Sequence, residues 1–272
     1  MAFVRAGDLV VHYELGGRRD GPVVLFANSI GTSLQVWAPQ AAAVADRYRV
    51  LRYDMRGHGL TDSPPGPYTM SQLGNDARAL LDALDIESAH VCGLSIGGLV
   101  AQRLAAAAPE RVRSLVLCDT ANVIGPPSHW DDRIALVKKG GLAGIADAAL
   151  KIWFTAGFLA AQPDVARGMA NMLLRTPLDG YIGCCHALRD ADLRADDAKI
   201  TCPTLVVVGD QDASTTPAVA RELCAAIKGA RLEIIAPAAH IPTIEQPTAL
   251  NRLILDFLDA QTARPRAAVG SV

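Results

Sequence analysis

A serine with glycines two residues before and two residues after it, Gly93-Leu94-Ser95-Ile96-Gly97, separates the apolar run AHVCG from the helical pattern GLVAQRLAAA. This is the setting of a nucleophile elbow, where a strand turns sharply into a helix and presents a serine hydroxyl at the top of the turn. The glycines answer a steric need, since strand and helix pack too closely there for side chains. A serine hydroxyl is a weak nucleophile unless a base takes its proton, so the motif calls for a histidine oriented by a carboxylate. His240, in AAHIPTIEQP, follows the apolar run ARLEIIA and precedes the last helical pattern. Upstream of it, TLVVVG runs into Asp210-Gln211-Asp212. Asp212 is preferred as the acid because it lies further onto the loop, whereas Asp210 is placed to accept hydrogen bonds from loop amides. Ser95, Asp212 and His240 then follow the order nucleophile, acid, histidine.

Acyl transfer also needs backbone N–H donors for the developing oxyanion. One belongs to Ile96, directly after the serine. The other is expected from the loop Asn28-Ser29-Ile30-Gly31 after the run VVLFA, with Ile30 as the donor. The turn Asp54-Met55-Arg56-Gly57-His58-Gly59 offers a second histidine. Its expected role is to shape a loop, with Asp54 and Arg56 paired locally.

These residues need a scaffold, and the sequence supplies strands and helices in alternation. LVVHYEL, VVLFANS, YRVLRYD, AHVCGLS, SLVLCDT, TLVVVGDQD and ARLEIIA read as strands. WAPQAAAVAD, MSQLGNDARALLDALD with Ser71 as its cap, LVAQRLAAAAPERV, PAVARELCAAIKG and ALNRLILDFLDA read as helices. Such alternation implies an α/β fold with a mostly parallel sheet covered on both faces. From about 121 to 199 only helical patterns occur, among them DDRIALVKKG, IADAALKIWF, DVARGMANMLLR and YIGCCHALRDAD. The expected division is a core of residues 1–120 and 200–262, a helical cap of residues 121–199 over the strand ends, and a frayed tail of residues 263–272.

Composition removes several classes of function. The 26 basic and 28 acidic residues are interspersed, without the basic stripe that nucleic acid requires. No GxxxxGK[ST], strand-linked GxGxxG or HExxH motif occurs, and the six cysteines lack CxxC spacing and are expected to be reduced. No cofactor or metal is called for, and no membrane span. The N-terminus lacks the pattern of a secretory signal, so a cytoplasmic enzyme is expected.

The segments NSIGTSLQVW, RYDMRGHG, GPYTMSQLGNDARALLDALDIESAHVCGLSIGGL and LVLCDTA together resemble the 3-oxoadipate enol-lactonases of the α/β-hydrolase superfamily. The likeness continues through WFTAGF, TPLDGYIGCCHALRDADLR, TTP and AAHIPTIEQ, and so spans nearly the whole chain. Asn28-Ser29 stands where many α/β hydrolases carry His-Gly, as it does in the enol-lactonases. Ile96 and Asp119 depart from the methionine and asparagine of close members, and the tail is longer and more basic.

The resemblance implies attack by Ser95 on a five-membered enol-lactone bearing a carboxylate, an acyl-enzyme, and release of 3-oxoadipate without cofactor or metal. A guanidinium suits the free carboxylate, and Arg133 in HWDDRIALVKK is the candidate, with Trp130 one helical turn before it. Trp153, Asn28 and Ser29 complete the candidate substrate contacts. The competing readings are a broad small-ester esterase with perhydrolase side activity, a carbon–carbon bond hydrolase of the same fold, and a receptor that binds a small molecule without turning it over.

Overall fold

The protein was analysed as a computed structural model, which describes residues 1–262. The tail of residues 263–272 lies outside the described residues. The strands are β1 (Ala2–Ala6), β2 (Leu9–Gly17), β3 (Val23–Ala27), β4 (Arg49–Tyr53), β5 (Ala89–Leu94), β6 (Val112–Cys118), β7 (Thr204–Gly209) and β8 (Arg231–Ile235). They form one eight-stranded sheet in the order β1-β2-β4-β3-β5-β6-β7-β8. From β4 to β8 all pairings are parallel, and β2 runs antiparallel to both its neighbours. Every residue of β3, β5 and β7 is buried, which explains why these strands read as unbroken apolar runs while the edge strand β8 does not. The short β1, whose pattern AFVRA half faces solvent, was not legible as a strand in the sequence.

Helices α1 (Ala38–Val44), α2 (Met70–Ala83) and α3 (Ile96–Ala107) follow β3, β4 and β5. Between β6 and β7 the described chain forms helices and loops but no strand: α4 (Pro127–Gly140), α5 (Ala146–Trp153), α6 (Ala156–Ala161), α7 (Pro163–Leu174), α8 (Leu178–Arg189) and α9 (Arg194–Asp197). Helices α10 (Pro217–Ala226), α11 (Pro242–Glu245) and α12 (Pro247–Thr262) complete the fold. No described helix is long and apolar enough to cross a membrane.

Two local expectations are corrected. Thr69, not Ser71, caps α2: its hydroxyl accepts from the Gln72 N–H at 3.1 Å, while the Gln72 side chain accepts from the Thr69 N–H at 3.0 Å. Asp54 and Arg56 do not pair with each other. The Asp54 carboxylate accepts from the backbone N–H groups of Leu34 and Leu60 and meets His12 Nδ1 at 2.7 Å. Arg56 reaches away to Asp76 on α2 at 2.7 Å and to Asp8 in the β1–β2 turn at 2.8 Å. Both residues therefore tie the loop after β4 to distant elements.

His90 on β5 shows how the core constrains charge. Its Nδ1 meets the Ser114 hydroxyl at 2.7 Å, and its Nε2 is buried without a partner. Burial, reinforced by the nearby Arg113, pushes the imidazole down to about 4. The folded protein keeps His90 neutral at pH values where the unfolded chain, at about 6.5, already binds the proton. Stability is therefore lost as pH falls from about 6.5 towards the folded value. In denaturant titrations, the stability difference between wild type and His90→Gln should change by roughly 2–4 kcal/mol between pH 7 and pH 4. A difference that stays constant with pH would show that His90 does not contribute this linkage.

Candidate active site

Ser95 stands at the β5–α3 turn with φ 56° and ψ −119°, a positive φ that a residue with a side chain adopts only under constraint. The constraint is visible. The Ser95 N–H donates to the Cys118 carbonyl at 3.0 Å, and the Ser95 carbonyl accepts from the Thr120 hydroxyl at 2.7 Å and the Gly98 N–H at 2.8 Å. A Cβ on Gly93 would lie 2.2 Å from the Gly97 carbonyl oxygen, and one on Gly97 would lie 2.3 Å from that of Ala27. The glycines of the motif are thus required by contact between β5, α3 and the loop after β3.

The loops after β7 and β8 bring the other two residues together. His240 Nδ1 meets Asp212 Oδ2 at 2.7 Å, and both side chains are buried. Asp212 Oδ2 also accepts from the Thr215 hydroxyl at 2.6 Å, and Oδ1 accepts from the N–H groups of Ser214 and Thr215. Burial alone would raise the Asp212 pKa, but the charge and hydrogen bond of His240, helped by Thr215, outweigh it and hold the carboxyl well below the usual range. Asp210 instead accepts from the Ala238 N–H at 2.9 Å and braces the histidine loop from outside.

The loop after β3 carries the second amide expected at the site. Gly31 donates its N–H to His58 Nε2 at 2.9 Å, and Thr32 donates its N–H to the Ser29 carbonyl. Ile30, between Ser29 and Gly31, lines the cavity. The Ile96 N–H belongs to the first turn of α3, where no intrahelical carbonyl is available to it. His58 is fully buried, its Nδ1 lies 3.2 Å from the Arg56 carbonyl, and burial lowers its pKa. A neutral ring with its proton on Nδ1 satisfies both contacts and makes His58 a brace for the Ile30 loop.

Ser95 and His240 open on a cavity of about 330 Å³ whose wall also includes Ser29, Ile30, Trp130, Arg133, Trp153 and Tyr181. Arg133 is its only lysine or arginine among the described residues, and its Nη1 lies 3.5 Å from the Tyr181 hydroxyl. Trp130 turns its indole N–H to the Ile124 carbonyl at 2.6 Å, so it offers the cavity an apolar face. The Ser29 hydroxyl is buried without a hydrogen-bond partner, although its residue lines the cavity. Asn28 does not line it: its amide donates to the Thr32 carbonyl at 2.7 Å and braces the loop from behind.

Sequence reasoning missed His129 and Tyr181 on the cavity wall and Glu245 behind it. Glu245 accepts from the Ala239 N–H beside His240 at 2.8 Å and from the Thr155 N–H at 3.1 Å, tying the histidine loop to the helical insertion. Its only signal in the sequence was an acidic residue shortly after the histidine. Asp119, Asp212 and His240 also present oxygen and nitrogen atoms within 4.8 Å of one another, a spacing compatible with a metal. The bond between His240 and Asp212 already occupies their facing atoms.

The sheet order and the strained serine turn define an α/β hydrolase, and a family model described as the alpha/beta hydrolase fold matches residues 22–136. The chain is 41% identical to 3-oxoadipate enol-lactonase 2 of Acinetobacter baylyi over 92% of its own length and 93% of that protein's. The crystal structure of an enol-lactonase from Burkholderia xenovorans superposes with a TM-score of 0.93 at 40% identity, covering 95% of this chain and 100% of the other. A more distant relative, provisionally named carbamate hydrolase RutD, from Pseudomonas savastanoi, is 30% identical over 89% of this chain and 96% of its own. The chain belongs to the 3-oxoadipate enol-lactonase family, and it is an ester-hydrolysing enzyme with a small-molecule substrate.

The brace on the Ile30 loop can be tested directly. His58→Ala should lower kcat for ester hydrolysis roughly tenfold to a hundredfold, as expected when an oxyanion donor is loosened but not deleted. His58→Gln, whose carboxamide oxygen can accept the Gly31 N–H, should recover most of that loss. An unaltered kcat in His58→Ala would show that the loop holds its shape without the ring.

Proposed function

We propose that the protein hydrolyses a small carboxylated enol-lactone, 3-oxoadipate enol-lactone, to 3-oxoadipate through an acyl-enzyme on Ser95. The observation that carries this reading is the Arg133 guanidinium on the wall of the cavity that Ser95 and His240 also line. A lone guanidinium in a largely apolar cavity suits a substrate with one free carboxylate, whose two oxygens it can bind together. The enol-lactonase relatives support the same substrate.

In this reading His240 Nε2 takes the Ser95 proton as Oγ attacks the lactone carbonyl, while Asp212 holds the imidazole tautomer and stabilises the imidazolium. The N–H groups of Ile30 and Ile96 receive the oxyanion. The intermediate collapses with cleavage of the ring C–O bond, and His240 returns its proton to the departing enol oxygen. The enol becomes a ketone. Water, deprotonated by His240, then cleaves the acyl-enzyme and frees the new carboxylate. No cofactor or metal enters these steps.

Residues 1–120 and 200–262 act here as the catalytic core and residues 121–199 as a cap. In support, the core supplies Ser95 and His240 to the cavity, and the insertion supplies Trp130, Arg133, Trp153 and Tyr181. Ser29, with its unpartnered hydroxyl, is a polar contact for the bound ester, whereas Asn28 serves by shaping the loop. The reaction would serve the breakdown of aromatic compounds in the cytoplasm. Carbamate hydrolysis is the second reading, favoured by the RutD relative alone.

Steady-state hydrolysis of freshly generated 3-oxoadipate enol-lactone, beside a neutral ester and a small carbamate of similar size, separates these readings. Wild type should prefer the lactone. Ser95→Ala should abolish turnover, and Arg133→Ala should lower kcat/KM for the lactone by roughly ten- to a hundredfold, the worth of a charge-assisted bond, with little effect on the neutral ester. Faster turnover of the neutral ester or the carbamate, insensitive to Arg133, would overturn the lactone assignment while leaving Ser95 in place.

A further inference from the structure

Asp119 is the first residue after β6, and its buried carboxyl group shares the space behind His240 with Asp212. One of its oxygens lies within 4.8 Å of a carboxylate oxygen of Asp212 and of a ring nitrogen of His240. The residue is tightly placed: φ is 44°, and its N–H donates to the Val207 carbonyl on β7 at 2.8 Å. Oδ1 accepts the Gly209 N–H at 2.9 Å, whereas Oδ2 is buried without a partner.

Two carboxylates this close in a dry site cannot both ionise cheaply, so the better solvated one takes the charge and the other keeps its proton. Asp212 is surrounded by donors from His240, Ser214 and Thr215, while Asp119 has the single donor of Gly209. The proton therefore belongs to Asp119, and with Oδ1 already occupied its place is Oδ2. The titratable groups around Asp119 are Asp212, His240, Glu245 and Cys118. Burial first, then the negative charge of Asp212, raises the Asp119 carboxyl well above the usual carboxylate range, and the Gly209 bond opposes this only in part.

We infer that Asp119 is a neutral carboxylic acid that donates a hydrogen bond to Asp212 and so acts as a positioning residue for the acid behind His240. The inference rests on the reading of Asp212 and His240 as acid and base. A donor on Asp212 fixes the face that its carboxylate turns to the imidazole, and it tempers the basicity passed on to His240. Without that donor Asp212 would hold more charge towards the ring and stabilise the imidazolium more strongly.

Asparagine and glycine both tolerate the positive φ at this position, but only asparagine retains a donor and an acceptor. Asp119→Asn should keep kcat within about threefold of wild type, and Asp119→Gly should lose roughly tenfold or more, as expected for a lost hydrogen bond to a charged group. The acid limb of the kcat/KM profile should move to higher pH in Asp119→Gly and stay in place in Asp119→Asn. The infrared difference spectrum of folded wild type minus Asp119→Asn at neutral pH should contain a protonated-carboxyl C=O stretch that shifts on isotopic labelling of aspartate. Absence of that band, a stationary acid limb in Asp119→Gly, or equal losses in the two variants would overturn the inference. The band is read without turnover, so it reports on Asp119 even if Ser95→Ala shows that the serine reading itself has failed.

Discussion

Much of the structure depends on the close approach of β5 and α3 that forces Ser95 to a positive φ. A non-glycine residue in that region costs of the order of 1–3 kcal/mol, and it persists only where its surroundings leave the backbone no alternative. Here those surroundings are specific. The neighbouring strand β6 supplies the Cys118 carbonyl, and the following residues supply the Thr120 hydroxyl. Thr120 is also the residue against which a Cβ on Gly98 would lie, at 2.5 Å. The same packing puts Ala27, the last residue of β3, against Gly97, so the start of the Ile30 loop and the serine turn are fixed by one contact. A parallel sheet buried on both faces provides this rigidity, because its central strands have no solvent-facing side on which to relax.

Electrostatics form a second dependence built on the first. The side chains of His240 and Asp212 are almost wholly removed from solvent, so their interaction is screened far less than it would be at a surface. Such a pair is tolerated only if the carboxylate has further hydrogen-bond donors, and Thr215 and Ser214 are among those that supply them. Glu245 extends the arrangement by accepting from the amides of Ala239 and Thr155, which links the histidine loop to the insertion that carries Arg133. Arg56 and Asp54 do comparable work on the other side of the sheet's carboxyl edge, where His58 holds Gly31.

The strained turn at Ser95 and the meeting of Asp212 with His240 were legible in the sequence because their signals are local: a glycine-flanked serine between a strand and a helix, and loops that end two later strands. The alternation of strands and helices was equally legible, since parallel strands buried on both faces need continuous apolar runs. What was not legible depends on partners remote in the chain. Whether Asp54 meets Arg56 or His12 is decided by where β2 lies, and nothing within RYDMRGHG encodes that. Asn28 and Ser29 are adjacent, yet one braces the loop through the Thr32 carbonyl and the other lines the cavity, a difference set by a contact four residues on that the dipeptide does not encode. Thr69 rather than Ser71 caps α2 because Thr69 is itself extended, with φ −128° and ψ 155°, while Ser71 already lies within the helix.

The division of labour between sheet and insertion accounts for how one family can hold relatives named for different substrates. The residues that could break an acyl bond come from strand ends and are held by contacts that leave little room for change. The cavity-lining residues Arg133, Trp130, Trp153 and Tyr181 come from helices α4, α5 and α8, joined to the core by packing and a few hydrogen bonds such as the one between the Ile241 N–H and the Trp153 carbonyl at 3.0 Å. Substitution there alters the cavity without disturbing the serine turn. The Arg133 guanidinium on that wall is only partly buried, and its contact with the Tyr181 hydroxyl at 3.5 Å is long enough to leave its fork open to solvent and to whatever enters the cavity.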